Sequence, residues 1–209
     1  MKGKFLTIEG VEGVGKSTNL QSIKQILESR NIDFIATREP GGTLIAEKIR
    51  ALLLDHHNEK LCELSELLLV FAARAQHLET VIKPALEVGT WVLCDRFTDA
   101  TYAYQGGGRG LSSKTISSLE NLTQGSLRPD FTLILDLDPK IGLTRAKTRG
   151  ELDRIEIEKI DFFEKVRDTY LTISNREPQR CKVVDASRPI DAVSKDVTEH
   201  LMTFIRENN

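Results

Sequence analysis

Gly10-Val11-Glu12-Gly13-Val14-Gly15-Lys16-Ser17, with Thr18 following, decides how the rest of the chain is read. The stretch fits the phosphate-loop pattern G-x-x-x-x-G-K-[ST] at every fixed position. Lys4-Phe5-Leu6-Thr7-Ile8 before it reads as a short buried strand. Residues 19–29 after it predict a helix, with Leu20, Ile23, Ile26 and Leu27 on one face. A chance match would occur in about one chain of this length in a hundred, and the strand and helix flanks make chance rarer still.

The residue types suit a polyphosphate. Backbone N–H groups hold such an anion only if they all point inward, and glycines at 10, 13 and 15 permit that conformation and the close approach it needs. A helix starting near Lys16 adds the partial positive charge of its N-terminus. Lys16 brings an ammonium to the β- and γ-phosphates, and the Ser17 hydroxyl suits Mg²⁺.

Composition sets the frame. The 209 residues are 40% hydrophobic and 29% charged, as expected of one globular domain, here 1–209. A formal net charge of −2 argues against a general nucleic-acid binder. Cys62, Cys94 and Cys181 are too scattered for a zinc site and odd in number, so they predict free thiols in a reducing compartment. The charged N-terminus has no signal-peptide core, and the apolar run 67–73 is too short to span a membrane. A cytoplasmic location is expected. His56, His57, His77 and His200 make no metal pair at helical spacing and read as ordinary surface or core histidines.

Strands and helices then alternate. Strands are predicted at 32–37, 90–94, 131–135 and 182–184. Helices are predicted after Thr43, over 61–78, 82–88 and 112–122, from Pro139 to about 148, and over 156–173 and 190–205. The four-glycine stretch 102–110 reads as a loop. The leucine stripe of 61–78 is wide enough to suggest a homodimer interface as well as core. This alternation predicts an α/β fold, a five-stranded parallel sheet with helices on both faces. Ligands of such sheets bind beyond the carboxyl ends of the strands. The phosphate loop, Arg38-Glu39, Asp95-Arg96 and Asp136/Asp138 all leave strand ends and are expected to share one crevice.

That crevice suits phosphoryl transfer from ATP to a second anion, a reaction served by cations and in-line positioning. Asp95 and Arg96 would pair a magnesium-side carboxylate with a phosphate-gripping guanidinium, although a structural ion pair is the competing reading. The segment of about 145–156, with Arg149 and Arg154 around Gly150, looks like an arginine-bearing lid that excludes water; a solvated helix face would read the same way.

A motif series extends these readings. Thr37-Arg38-Glu39-Pro40-Gly41-Gly42-Thr43, Phe71-Ala72-Ala73-Arg74, Asp95-Arg96-Phe97, Ala103-Tyr104-Gln105-Gly106 and Arg149-Gly150-Glu151-Leu152-Asp153-Arg154 resemble, in order and spacing, the bacterial thymidylate kinases. The resemblance covers nearly the whole chain and implies the P-loop NTPase fold. It also implies phosphorylation of dTMP by ATP with Mg²⁺ and a homodimer. It would place Phe71 on the thymine ring and Arg74 on a thymine carbonyl, with Thr101 and Gln105 facing the base. Tyr104 would stand where a ribose 2′-hydroxyl would go, and Arg50 and Arg96 would hold the acceptor 5′-phosphate. Glu12 and Glu39 would lie near the sugar and the phosphoryl path, with Asp95 and Ser17 near the metal and Arg188 beside adenine. The loop residues Glu12, Gly13 and Val14 supply no arginine, so the resemblance is to the type whose catalytic cation comes from the lid.

Other classes fit less well. A GTPase switch would need an N-K-x-D clamp, which the sequence lacks. A kinase for another nucleotide or nucleoside would keep the loop and change the acceptor residues. A leucine-rich interaction domain would leave the phosphate loop without a purpose.

Overall fold

The computed structural model describes residues 3–57, 59–148 and 150–208. Five strands, β1 (Phe5–Glu9), β2 (Phe34–Arg38), β3 (Trp91–Asp95), β4 (Phe131–Asp136) and β5 (Cys181–Asp185), form one parallel sheet in the order β2-β3-β1-β4-β5. The chain leaves β1 toward β2 and β3 on one side, then crosses to β4 and β5 on the other. The switch of direction, where such sheets bind ligands, therefore falls at the end of β1.

Alternation along the strands divides the interior. Leu6 and Ile8 of β1 join a core with Ile23 and Leu27 of α1 (Lys16–Ser29) and Val197 and Leu201 of the last helix, α9 (Ile190–Asn208). Phe5 belongs to a second core with Val92, Phe97, Leu78 and Ile82. Apolar side chains thus leave both faces of the sheet, and both are covered.

Side-chain caps set several helix starts. The Thr43 hydroxyl accepts from Ala46 N at 3.0 Å and opens α2 (Leu44–Leu54). Asp138 accepts from Lys140 N at 2.8 Å to open α7 (Pro139–Lys147), with Pro139 in the first turn.

Three segments differ from the expectation. The predicted helices at 61–78 and 82–88 are one run: α3 (Glu63–His77) passes through a single π turn (Leu78–Ile82) into α4 (Lys83–Glu87). Leu78 and Ile82, both fully buried, keep the turn in the core. The predicted loop at 102–110 is also helical: α5 (Thr98–Thr101) continues as a π-helical segment (Tyr102–Gly108). Its glycines serve contact. A Cβ on Gly107 would sit 2.1 Å from Thr169 Oγ1, and one on Gly108 would sit 2.4 Å from the Phe162 ring, both on α8 (Ile160–Arg176). Finally, α8 starts four residues later than expected. Asp153 accepts from Ile155 N and Glu156 N at 2.8 and 2.9 Å, which closes a turn before the helix. The helix α6 (Ser113–Gln124) follows its sequence prediction closely, with Ser112 as its cap.

A methyl group distinguishes the two readings of the glycine stretch. In a helix free of contacts, Gly→Ala stabilises by roughly 0.5–1 kcal/mol. At Gly108 the clash with Phe162 should outweigh that gain, so Gly108→Ala is expected to destabilise by about 1–3 kcal/mol in urea unfolding. A neutral or stabilising result would return the segment to a loop.

Candidate active site

The phosphate loop has the predicted conformation. Gly10, Gly13 and Gly15 have φ of 135°, 70° and 90°. Gly13 also meets Gly142 of α7 so closely that a Cβ would lie 1.9 Å from the Gly142 oxygen. Gly15 precedes α1 without any side-chain cap, which leaves the first N–H groups of the helix open for an anion. Lys16 Nζ donates to the Gly10 and Val11 carbonyls at 3.1 Å each. Desolvation, helped by the nearby Arg96 guanidinium, pushes this ammonium down to about 8.

From the end of β3, Arg96 reaches the same loop. It takes a left-handed backbone conformation, φ 68°, rare for a residue with a side chain. The turn is held by Arg96 N donating to Ile8 O at 3.0 Å and Phe97 N donating to Glu9 Oε1 at 2.7 Å. The guanidinium donates to Gly10 O at 2.6 Å and Glu12 Oε1 at 2.8 Å, and lies 4.8 Å from the Tyr104 ring centroid. Tyr104 in turn donates to Glu12 Oε2 at 2.7 Å. Beneath them Glu9 is fully buried and accepts from the Tyr170 hydroxyl at 2.8 Å. Desolvation, with repulsion from Asp99 added, raises the Glu9 carboxyl from 4.5 to about 8.

The third wall comes from α3. Arg74 is almost fully buried; its Nε donates to Glu39 Oε2 at 2.7 Å and its Nη2 to Thr101 Oγ1 at 2.9 Å, while Nη1 has no partner. Glu39 also lies 3.0 Å from His77 Nδ1, whose Nε2 is 2.7 Å from Thr37 Oγ1. His77 is fully buried. Glu66, just over two turns before Arg74 on α3, accepts from Gln105, Arg109 and Arg154. Arg154 Nε donates to Leu53 O at 2.8 Å and its backbone N to Leu54 O at 3.0 Å, which ties this segment to the end of α2.

Lys16, Glu39, Glu66, Arg74, Arg96, Tyr104 and Arg154 border one cleft of about 650 Å³. Its wall includes Glu12, Gly13, Val14, Gly15, Lys16, Ser17 and Thr18 of the loop. Of the other expected residues, Glu39, Arg50, Arg74, Asp95, Arg96, Thr101, Tyr104, Gln105 and Arg154 line it too. Asp95 Oδ1 is buried without a hydrogen-bond partner, and with the Ser17 hydroxyl it offers the cleft hard oxygen donors of the kind Mg²⁺ takes. Among the described residues no cluster of three or more His, Cys, Asp or Glu could hold a metal by itself.

Several expected residues do not stand on this wall. Phe71 is 2% exposed, packs with Leu67 and Ile116, and is not part of the cleft wall. Its ring instead lies 4.9 Å from the Arg74 guanidinium, which Phe97 flanks at the same distance. Arg188 pairs with Asp196 and Asp185, away from the cleft wall. Arg38 pairs with Glu47 at 2.9 Å, Asp136 takes Arg167 at 2.6 and 2.8 Å, and Asp138 caps α7, so none of the three reaches the crevice. Arg149 lies outside the described residues. Sequence reasoning passed over Glu66, Arg109, Arg145, Glu9 and Tyr170. A signal existed for Glu66: it shares the buried face of α3 with Val70, Arg74 and His77, an unusual place for a carboxylate.

Fold and cleft together define a P-loop phosphotransferase, in which a loop at the end of β1 and an arginine at the end of β3 face a common space. The family model described as "Thymidylate kinase" matches residues 8–197. A thymidylate kinase of Teredinibacter turnerae is 55% identical over 98% of this chain and 100% of that protein, and one of Ectopseudomonas mendocina is 56% identical over 98% of each. A crystal structure of thymidylate kinase from Ehrlichia chaffeensis aligns with a TM-score of 0.76 and 33% identity, covering 97% of this chain and 99% of that one. The chain belongs to the thymidylate kinase family.

Glu9 gives this site a pH signature. Because its carboxyl titrates near 8 in the folded chain and near 4.5 unfolded, the folded form keeps a proton that the unfolded form has released between those values. Its contribution to stability is full below about pH 4 and is lost as pH rises through 8, with a slope of at most ~1.4 kcal/mol per pH unit. Glu9→Gln is expected to remove that part of the decline in urea unfolding measured from pH 5 to 8.5. An unchanged pH slope would show that Glu9 is ionised when folded.

Proposed function

We propose that the protein transfers the γ-phosphoryl group of ATP to dTMP, giving ADP and dTDP on the route to dTTP. It would work in the cytoplasm as a single-domain subunit. The observation that carries this reading is one cleft holding three kinds of cation: Lys16 on the phosphate loop, Arg96 at the end of β3, and the buried Arg74 with Nη1 unpartnered.

Each residue has a task. Lys16 exchanges its two loop carbonyls for β- and γ-phosphate oxygens, and the charge it meets there favours its protonated form. Arg96, fixed by Glu12 and Gly10, grips the acceptor 5′-phosphate with Arg50, so the attacking oxygen starts in line. Glu39 orients Arg74, whose free Nη1 meets a thymine carbonyl. Gln105 and Thr101 complete the base seat. Tyr104, pinned on Glu12, fills the space beside the sugar and favours deoxyribose. The lid carries Arg149 and Arg154, closes over the transferring group and excludes water. Ser17 and Asp95 would hold Mg²⁺, which when bound neutralises charge on the phosphate oxygens. The resemblance supports adenine near Arg188. Leu64 and Leu68 of α3 and Leu44 of α2 are exposed, which supports a homodimer through this helical face.

Two measurements test the reading. In an ADP-release assay with ATP and Mg²⁺, dTMP should exceed dCMP and dAMP in kcat/KM by at least about tenfold, the worth of one good hydrogen bond to the base. Equal rates would remove the thymine assignment. Lys16→Ala should lower kcat by roughly 10²–10³ with the melting temperature kept, since it removes charge stabilisation at the transferring group. Near-normal turnover would contradict the role of the loop.

A further inference from the structure

The cleft contains a buried carboxylate that neither the phosphates nor the metal needs. Glu66 is 1% exposed, and every acceptor position it offers is taken. Its Oε1 accepts from Gln105 Nε2 at 2.9 Å and Arg109 Nε at 3.1 Å; its Oε2 accepts from Arg109 Nη2 at 3.1 Å and Arg154 Nη2 at 2.7 Å. Burial alone would raise this carboxyl, but the bonds from Arg109 and Gln105 outweigh it and hold Glu66 below the usual carboxylate range. Two guanidiniums around one carboxylate keep it ionised, and an ionised carboxylate can only accept.

The consequence falls on Gln105. A glutamine amide has a donating end and an accepting end, and a half-turn about its last bond exchanges them. Against an ionised Glu66 only one orientation makes a hydrogen bond: NH₂ toward Glu66, oxygen away from it. The other would set two oxygens face to face in a buried site. Gln105 borders the cleft, and among the described residues the bond to Glu66 is the only one its amide makes. The accepting end is therefore the one left for a ligand. The unpartnered Arg74 Nη1, on a residue of the same cleft wall, is a donor.

We propose that Glu66 is a specificity-determining positioning residue, which locks the Gln105 amide with its oxygen toward the acceptor base. With Arg74, the cleft then presents one acceptor and one donor. Thymine and uracil complement that pair with a ring N–H beside a carbonyl. Cytosine offers a bare ring nitrogen beside an amino group, so it meets acceptor with acceptor and donor with donor. The inference rests on the acceptor-base reading above and adds how the choice is enforced.

Glu66→Gln tests it. The neutral amide keeps the size and can donate as well as accept, so Gln105 becomes free to turn. The kcat/KM ratio of dTMP to dCMP is expected to fall at least tenfold relative to the unaltered protein, partly through a gain for dCMP. A purely structural Glu66 would lower both values together and leave the ratio unchanged, which would overturn the proposal while the acceptor reading stands. Equal use of the two acceptors by the unaltered protein would overturn both. If Glu66→Gln does not fold, side-chain amide exchange measured by NMR on the unaltered protein decides. The Gln105 NH₂ should exchange slowly with and without dTMP, whereas fast exchange in the free protein would overturn the lock.

Discussion

The structure depends on Arg96 standing in a left-handed turn at the end of β3. Such a conformation costs on the order of 1–3 kcal/mol and persists only where its surroundings determine it. Here they do. Hydrogen bonds from the backbone of Arg96 and Phe97 reach Ile8 and Glu9 of β1, and the guanidinium closes onto Gly10 and Glu12. An extended residue would project its side chain from a face of the sheet. The left-handed turn sends it sideways into the phosphate loop, so a cation from the end of β3 is fixed on Gly10 and Glu12.

Around this tie, carboxylates hold cations before any ligand arrives. Glu12 holds Arg96, Glu39 holds Arg74, and Glu66 holds Arg109 and Arg154. Buried ion pairs contribute little net stability, because desolvation offsets the attraction. Their value here is geometric: each guanidinium has fewer rotamers to lose when an anion or a carbonyl meets it. The unpartnered Arg74 Nη1 and Asp95 Oδ1 belong to the same logic, as buried polar atoms with bonds still to make.

Much of this was legible in the sequence because it is local. The glycine loop, the Thr43 cap, Pro139 at a helix start and the alternation of strands with helices are short-range signals, and the chain obeys them. What failed was tertiary. The glycines of 106–108 look like a loop from their composition, but Gly107 and Gly108 are small because α8 passes against them. Asp136 and Arg38 leave strand ends, yet each found a side-chain partner outside the crevice. Phe71 illustrates the same limit: its place on α3 is periodic, and whether that face meets the cleft or the core depends on Leu67 and Ile116. Glu66 went unread because a leucine stripe invites a core or interface reading, and a carboxylate within it draws notice only once its arginines are known.

One claim underlies the whole account: the loop after β1 and the arginine after β3 present two phosphates to each other across a single cleft. A crystal structure with dTMP and a non-hydrolysable ATP analogue bound together tests it most directly. The account predicts the acceptor phosphate on Arg96 with its oxygen in line with, and roughly 3–3.5 Å from, the γ-phosphorus of a nucleotide seated in the glycine loop. Two ligands on separate faces of the sheet, or a glycine loop left empty, would contradict it.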